Sequence, residues 1–139
     1  MFEKILVALD GSENSRKALE TAVRIAQEFD GKLTLIHVYS IGGLADSPKP
    51  LHGFIEAIRK VGAGILEEEE KKVKVKGVQV ETLLREGHVV EEIVKACREG
   101  EFDLVVIGAR GLSKMKAMVL GSVSDGVTRH AYCAVLVVK

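Results

Sequence analysis

Between Asp103 and Ser124 the chain carries glycines and serines at a spacing suited to holding an anion. The run Asp103-Leu-Val-Val-Ile-Gly-Ala-Arg-Gly111 places a short β-branched apolar segment directly before Gly108, with Gly111 just beyond. A spacer carrying Lys114 and Lys116 leads to Gly121-Ser122-Val123-Ser124, where helical periodicity begins. The apolar run reads as a strand buried on both faces. Glycines at its end let the backbone turn and approach a ligand with no Cβ in the way. A helix start offers free N–H groups and the positive end of a dipole. Strand, glycine loop, glycine-serine and helix together form a recipe for cradling a phosphate chain. The same residues also suit a plain turn, with Ser122 serving only as a helix cap. Neither GxGxxG nor GxxxxGK[ST] occurs anywhere in the chain.

The elements that must position these residues alternate strictly. Residues 4–9 form a first apolar strand ending at Asp10-Gly11-Ser12, with Ser12 as N-cap and Glu13 in the first turn of a helix. Ala18, Ala22, Ile25, Ala26 and Phe29 fall at helical spacing, and Gly31 ends that helix. Residues 33–38 form the second strand, and a crossover of this length joins parallel strands right-handedly. Ser40 to Leu51, with Gly42-Gly43, Pro48 and Pro50, reads as an irregular insert, either a lid or a plain connection. The second helix has Phe54, Ile58, Ile65 and Leu66 as apolar positions. Its Glu67-Glu68-Glu69-Glu70-Lys71-Lys72 run reads as a solvated face laced by i, i+4 pairs, and Gly77 closes it. Residues 78–84 alternate at first, as an edge strand does. Val90, Ile93, Val94 and Cys97 mark a third helix that Gly100 stops. Residues 104–107 are the fourth strand. A fourth helix runs from about Ser122 to His130, and Ala134 to Val138 is the last strand.

Five strands and four helices in this order predict one doubly wound, Rossmann-like α/β domain over residues 1–139. The two most continuously apolar strands, the first and fourth, belong in the middle of a parallel sheet ordered 3-2-1-4-5. The switch point then lies between them, and Asp10 meets Gly108 in the crevice where such sheets bind ligands. Asp10 there contacts a base or sugar, helps hold a divalent ion, or simply forms the turn before Gly11. Val38 presents backbone groups to an adenine edge or is a core valine. Arg110 and Lys114 favour phosphates or are merely solvated. Ser122 and Ser124 give hydroxyls and N–H groups to phosphates or only begin a helix.

Composition narrows the function classes. Twenty basic and twenty acidic side chains cancel, so no global field recruits nucleic acid or an acidic membrane. The chain opens on Phe2-Glu3-Lys4-Ile5 without a signal-peptide pattern, and no apolar run approaches the roughly 20 residues of a membrane span. The expectation is a cytoplasmic protein. Cys97 and Cys133 lack a CxxC spacing, and His37, His52, His88 and His130 are scattered, so separate buried thiols are expected rather than a metal or redox motif. A phosphoacceptor receiver domain would need an Asp after the third strand, where Arg85-Glu86-Gly87 stands. A flavodoxin would need its phosphate loop after the first strand and aromatics around a flavin, and this chain has no Trp. The turn Leu9-Asp10-Gly11-Ser12 departs from the SGGxDS of an ATP pyrophosphatase.

Three stretches resemble the universal stress protein family. Ile5 to Ser12, with Ser15 and Ala18-Leu19 after it, is similar to the family's opening strand and helix. Gly87-His88, followed by Glu91, Glu92 and Ile93, is similar to the start of its third helix. Gly108-x2-Gly111-x9-Gly121-Ser122 fits the G-x2-G-x9-G-[S/T] spacing of the family's ATP-binding branch. The resemblance implies that Asp10 and Val38 contact adenine or ribose, with Ala8, Leu9 and Ile107 lining the pocket. It further implies Gly108 beside the ribose, with Gly111, Gly121, Ser122, Val123 and Ser124 around the phosphates. ATP, or AMP or ADP, with Mg²⁺ or Mn²⁺ bridging the phosphates on few protein ligands, is the implied cofactor. The implied assembly is a homodimer through Ala134 to Val138, an apolar edge that needs covering in any case. Where the family often has proline before that strand, this chain has Tyr132-Cys133-Ala134. The expected role is a stress-response or signalling module that changes conformation or protein partner with nucleotide. A slow ATPase and a nucleotide-free dimeric adaptor are the alternatives. No general base, nucleophile or arginine finger stands out near the loop to favour the enzyme.

Overall fold

Short β-branched runs with no polar alternation are stable only with helices covering both sides of the sheet they form. The computed structural model of the chain, which describes residues 1–46, 49–111 and 120–139, has this architecture. Its elements are β1 (Lys4–Ala8), α1 (Glu13–Phe29), β2 (Lys32–Tyr39), a 3₁₀ turn (Gly42–Asp46), α2 (Lys49–Val75), β3 (Val80–Glu86), α3 (Val89–Glu99), β4 (Leu104–Gly108), α4 (Ser122–His130) and β5 (Ala134–Val138). The five strands make one sheet in the order β3-β2-β1-β4-β5, with every pairing parallel. This is the order expected from the sequence. β1 sits at the centre, pairing Leu6 with Thr34 on one side and with Val105 on the other.

Alternation along the strands splits the core in two. Ile5, Val7 and Leu9 join Leu33, Leu35 and Val106 beneath α1 and α2. Leu6 and Ala8 join Ile36, Val38, Val105 and Ile107 beneath α3 and α4. α1 begins at N-cap Ser12, whose Oγ accepts the Ser15 N–H at 3.1 Å. Its end differs from expectation. Asp30, not Gly31, is the C-cap, in the left-handed conformation that aspartate tolerates better than most residues (φ 55°, ψ 41°).

Two readings of α2 need correction. The glutamate run is not uniformly solvated, because the Glu69 side chain is only 11% exposed. Its Oε1 lies 4.0 Å from Arg16 Nε and 3.4 Å from Lys72 Nζ. Gly62, Leu66, Glu69 and Val73 are spaced four, three and four apart, which is the core stripe of this helix. One of any four consecutive residues must fall on that stripe, and here it is Glu69. The same geometry leaves Phe54 66% exposed, because the stripe continues back through Ile58 and Ile55 instead. The segment read as irregular from Ser40 to Leu51 is also more regular than expected. It contains the 3₁₀ turn, and α2 starts at Lys49 with Pro50 in its first turn, where a missing N–H forfeits no helical bond. Ser47 and Pro48 lie outside the described residues.

α2 crosses β2 at close range. A Cβ on Gly62 would lie 2.5 Å from His37 Cδ2. The His37 ring cannot swing away freely, since its Nδ1 lies 2.7 Å from the Leu9 carbonyl oxygen. A carbonyl only accepts, so Nδ1 carries the proton and donates. Gly62→Val is therefore expected to destabilise the fold by about 1–3 kcal/mol through overpacking. A urea midpoint equal to that of the parent chain would show that α2 relaxes away without cost. No described helix is long and apolar enough to cross a membrane.

Candidate functional site

The carboxyl ends of β1 and β4 diverge at the switch point of the sheet, because their following connections leave on opposite faces. A cavity of about 260 Å³ opens there. Ala8, Leu9, Asp10, Val38, Ile107, Gly108, Gly111, Gly121, Ser122, Val123 and Ser124, the residues singled out from the sequence, all line it. One part is apolar, formed by Val38 and Ile36 of β2, Ile107 of β4, and Val89 and Ile93 of α3. The other part is backbone and small side chains, formed by residues 108–111 and the first turn of α4.

Each wall has a local cause. Asp10 does form the turn that its position before Gly11 suggested, since its Oδ1 accepts the Ser12 N–H at 2.9 Å. Gly11 takes φ +84°, a conformation that glycine adopts without strain. The second carboxylate oxygen of Asp10 faces the glycine loop, and a Cβ on Gly111 would lie 2.4 Å from it. Gly108 is tight for a different reason. A Cβ there would meet the Asn14 backbone at 3.0 Å, so β4 passes directly against the start of α1. Asn14 Oδ1 then accepts the Arg110 N–H at 2.8 Å and pins the loop beyond the strand.

The α4 end of the cavity is closed by a small bonded ring. The Gly121 N–H donates to the Ala109 carbonyl at 2.6 Å, and Ser124 Oγ donates to the same oxygen at 2.7 Å. Ser124 is only 2% exposed, so its hydroxyl proton is committed to the loop and not free for a ligand. The N-cap is Gly121, not Ser122, and it makes no side-chain capping bond. A helix leaves its first N–H groups without intrahelical partners, and here no side chain takes them up at the cap. They lie at the cavity wall formed by Ser122, Val123 and Ser124. The Arg110 side chain sits on an exposed loop residue. Lys114 and Lys116 lie outside the described residues. Among the described residues, no group of three or more His, Cys, Asp or Glu is placed to hold a metal ion.

A model of the universal stress protein family matches residues 1–139. The chain belongs to the universal stress protein family. Universal stress protein YxiE of Bacillus subtilis (strain 168) is 40% identical to it, with 100% of both chains covered. A universal stress protein solved in complex with cAMP is 28% identical with a TM-score of 0.76, over 99% of this chain and 97% of that one. A universal stress protein family protein of Arabidopsis thaliana, solved with AMP bound, is 26% identical with a TM-score of 0.73, over 98% and 90% of the two chains.

Sequence reasoning missed several residues that shape this universal stress protein's cavity. Ser15, Ile36, Val89, Ile93 and Ala109 also line it. Ile36 and Ile93 look like ordinary core positions, and only the sheet order shows that the core on this face runs into the cavity. Asn14 left a fainter signal. Asparagine is a weak helix former beyond the cap, so its place in the first turn of α1 suggests a task for its side chain.

Proposed function

We propose that this universal stress protein binds an adenine nucleotide, ATP foremost, in the cavity between β1 and β4. The observation that carries the reading is the pairing of an apolar slot with uncapped helix N–H groups in one cavity. A base needs the first and a phosphate chain needs the second. The cAMP and AMP complexes of the two similar proteins support the same class of ligand. In this reading the purine lies among Val38, Ile36, Ile93 and Ile107, with Asp10 at the base or ribose. The phosphates meet Gly111, Gly121 and the N–H groups of Ser122, Val123 and Ser124.

A Mg²⁺ or Mn²⁺ ion fits this donor set as a passenger of the phosphates. Such ions take one or two carboxylates and draw their other ligands from phosphate and water. Asp10 is the one carboxylate among the residues lining the cavity, and its outer oxygen faces the glycine loop. The ion would supply charge neutralisation. The same scarcity of carboxylates argues for binding over hydrolysis, because Asp10 Oδ1 is engaged with Ser12 N–H and no second carboxylate is among the described residues lining the cavity. The module would then act in stress response or signalling by changing conformation or protein partner with nucleotide. β5 is an edge strand with an exposed Ala134 and half-buried Val135 to Val138, which suits pairing with a second copy of the chain.

One preparation, purified without added nucleotide, tests these points. With no Trp and two Tyr, the protein absorbs weakly, so bound adenine would dominate near 260 nm. Released adenine nucleotide on denaturation, or saturable ATP binding by calorimetry, is the expected result. Turnover should stay well below roughly 1 s⁻¹, the lower end of ordinary enzymes. Sedimentation of the same sample should give the mass of a dimer. No binding at millimolar ATP would overturn the nucleotide reading, rapid turnover the non-enzyme reading, and a monomer the assembly.

A further inference from the structure

Cys97 lies in α3 and Cys133 in the connection from α4 to β5, 36 positions apart in the chain. The fold brings their Sγ atoms to 3.0 Å, both as free thiols. These are the cysteines whose sequence context suggested two separate buried thiols. Cys97 is buried on the core face of α3 beside Ile93 and Ala96. Cys133 is half-buried against the same cluster and is held in place by β5, whose first residue, Ala134, pairs with Leu104. Both sulfurs are thus fixed by elements with other reasons to be where they are. Closing to the roughly 2.05 Å of a disulfide requires about one ångström of movement.

We infer that Cys97 and Cys133 form an oxidation site, closed to an intramolecular disulfide by a small hydroperoxide. The ring so formed contains β4, the segment after it, and α4. The half-buried Cys133 is the sulfur that a peroxide reaches first. Its thiolate takes one peroxide oxygen, the O–O bond breaks, and hydroxide leaves a sulfenic acid behind. Cys97 Sγ then displaces hydroxide from that sulfur, and its own proton leaves with the hydroxide as water. Two thiols and one hydrogen peroxide give one disulfide and two waters, with two electrons passing from sulfur to oxygen. Burial, together with the contact to Cys97 and the charge of Asp103, pushes the Cys133 thiol up to about 12. Thiolate is scarce at neutral pH, so oxidation is slow there and should quicken as the pH of the treatment rises.

The test treats the reduced full chain with millimolar hydrogen peroxide and follows intact mass and thermal unfolding. The expected product is a chain lighter by two hydrogens and not covalently joined to another, with one peptide pair linking Cys97 to Cys133. Its melting temperature should rise by roughly 10 °C, since the ring constrains the unfolded chain, and dithiothreitol should reverse the change. Cys97→Ser should abolish both effects, and Cys133→Ala provides the control at the half-buried position should the buried substitution fail to fold. Two thiols still free after treatment would overturn the inference. So would Cys133 driven to a sulfinic acid with Cys97 intact, or a bond between two chains.

Discussion

Gly121→Val is expected to fold normally and to lose ATP affinity by at least about a hundredfold, or roughly 2.7 kcal/mol. Gly121 has φ −75° and ψ 169°, a conformation open to any residue, so its backbone does not require glycine. Among the described residues, a Cβ there would meet the Ala109 carbonyl oxygen as its one close neighbour, at 3.3 Å, which asks for a shift of a few tenths of an ångström. The residue is an N-cap without a side-chain bond, so valine forfeits no capping interaction, and its poorer cap propensity costs at most about 1 kcal/mol. What valine does change is the cavity, because position 121 lines it beside the first turn of α4. Its branched side chain would stand where the phosphates must approach the helix. Calorimetric titration with ATP, alongside a thermal melt, separates the two effects. Undiminished affinity would mean that the phosphates do not sit on α4, and a collapsed melt would mean that the Ala109–Gly121 ring carries more of the fold than its geometry suggests.

Leu6→Ala is the largest expected loss of stability, about 2–5 kcal/mol, or roughly 7–17 °C in melting temperature for a chain of this size. Leu6 is 0% exposed and sits on the strand paired from both sides. It packs in the cluster with Ile36, Ile93, Val105 and Val127, and neither paired neighbour strand can move in to fill the hole. Ile36 and Ile93 belong both to that cluster and to the cavity wall, so the loss should also weaken nucleotide binding severalfold. The comparison with Leu19→Ala, in α1 on the opposite side of the sheet, is informative. Equal effects of the two on ATP affinity would show that the α3 and α4 face has no special link to the site.

Much of this fold was legible from periodicity because its strands are buried on both sides. Val7, Val105 and Val106 leave no polar alternation to misread, and the order of the sheet follows once the two most apolar runs are placed at its centre. The cavity lining was legible at Gly108 and Gly111, which take no left-handed conformation but leave no room for a Cβ against Asn14 and Asp10. What escaped was set by three-dimensional register. Nothing local tells which of four consecutive glutamates falls under Arg16, or that a left-handed Asp30 ends α1 one residue before Gly31. The meeting of Cys97 with Cys133 required knowing how α3 lies beside the start of β5. The partner of the Ser124 hydroxyl was hidden for a similar reason, since its acceptor is a carbonyl 15 positions away.

The central place of β1 shapes how the chain is made. Ile5 pairs with Leu104, so one edge of β1 waits for a strand made about a hundred residues later. At about 5–20 residues per second, roughly 5–20 s separate the synthesis of the two strands. During that interval the edge of β1 that β4 will cover has no partner, and its row of hydrogen-bonding groups stays open. The strand that organises the finished molecule is thus also its chief exposure to misassembly during synthesis, and the arrival of β4 ends that exposure.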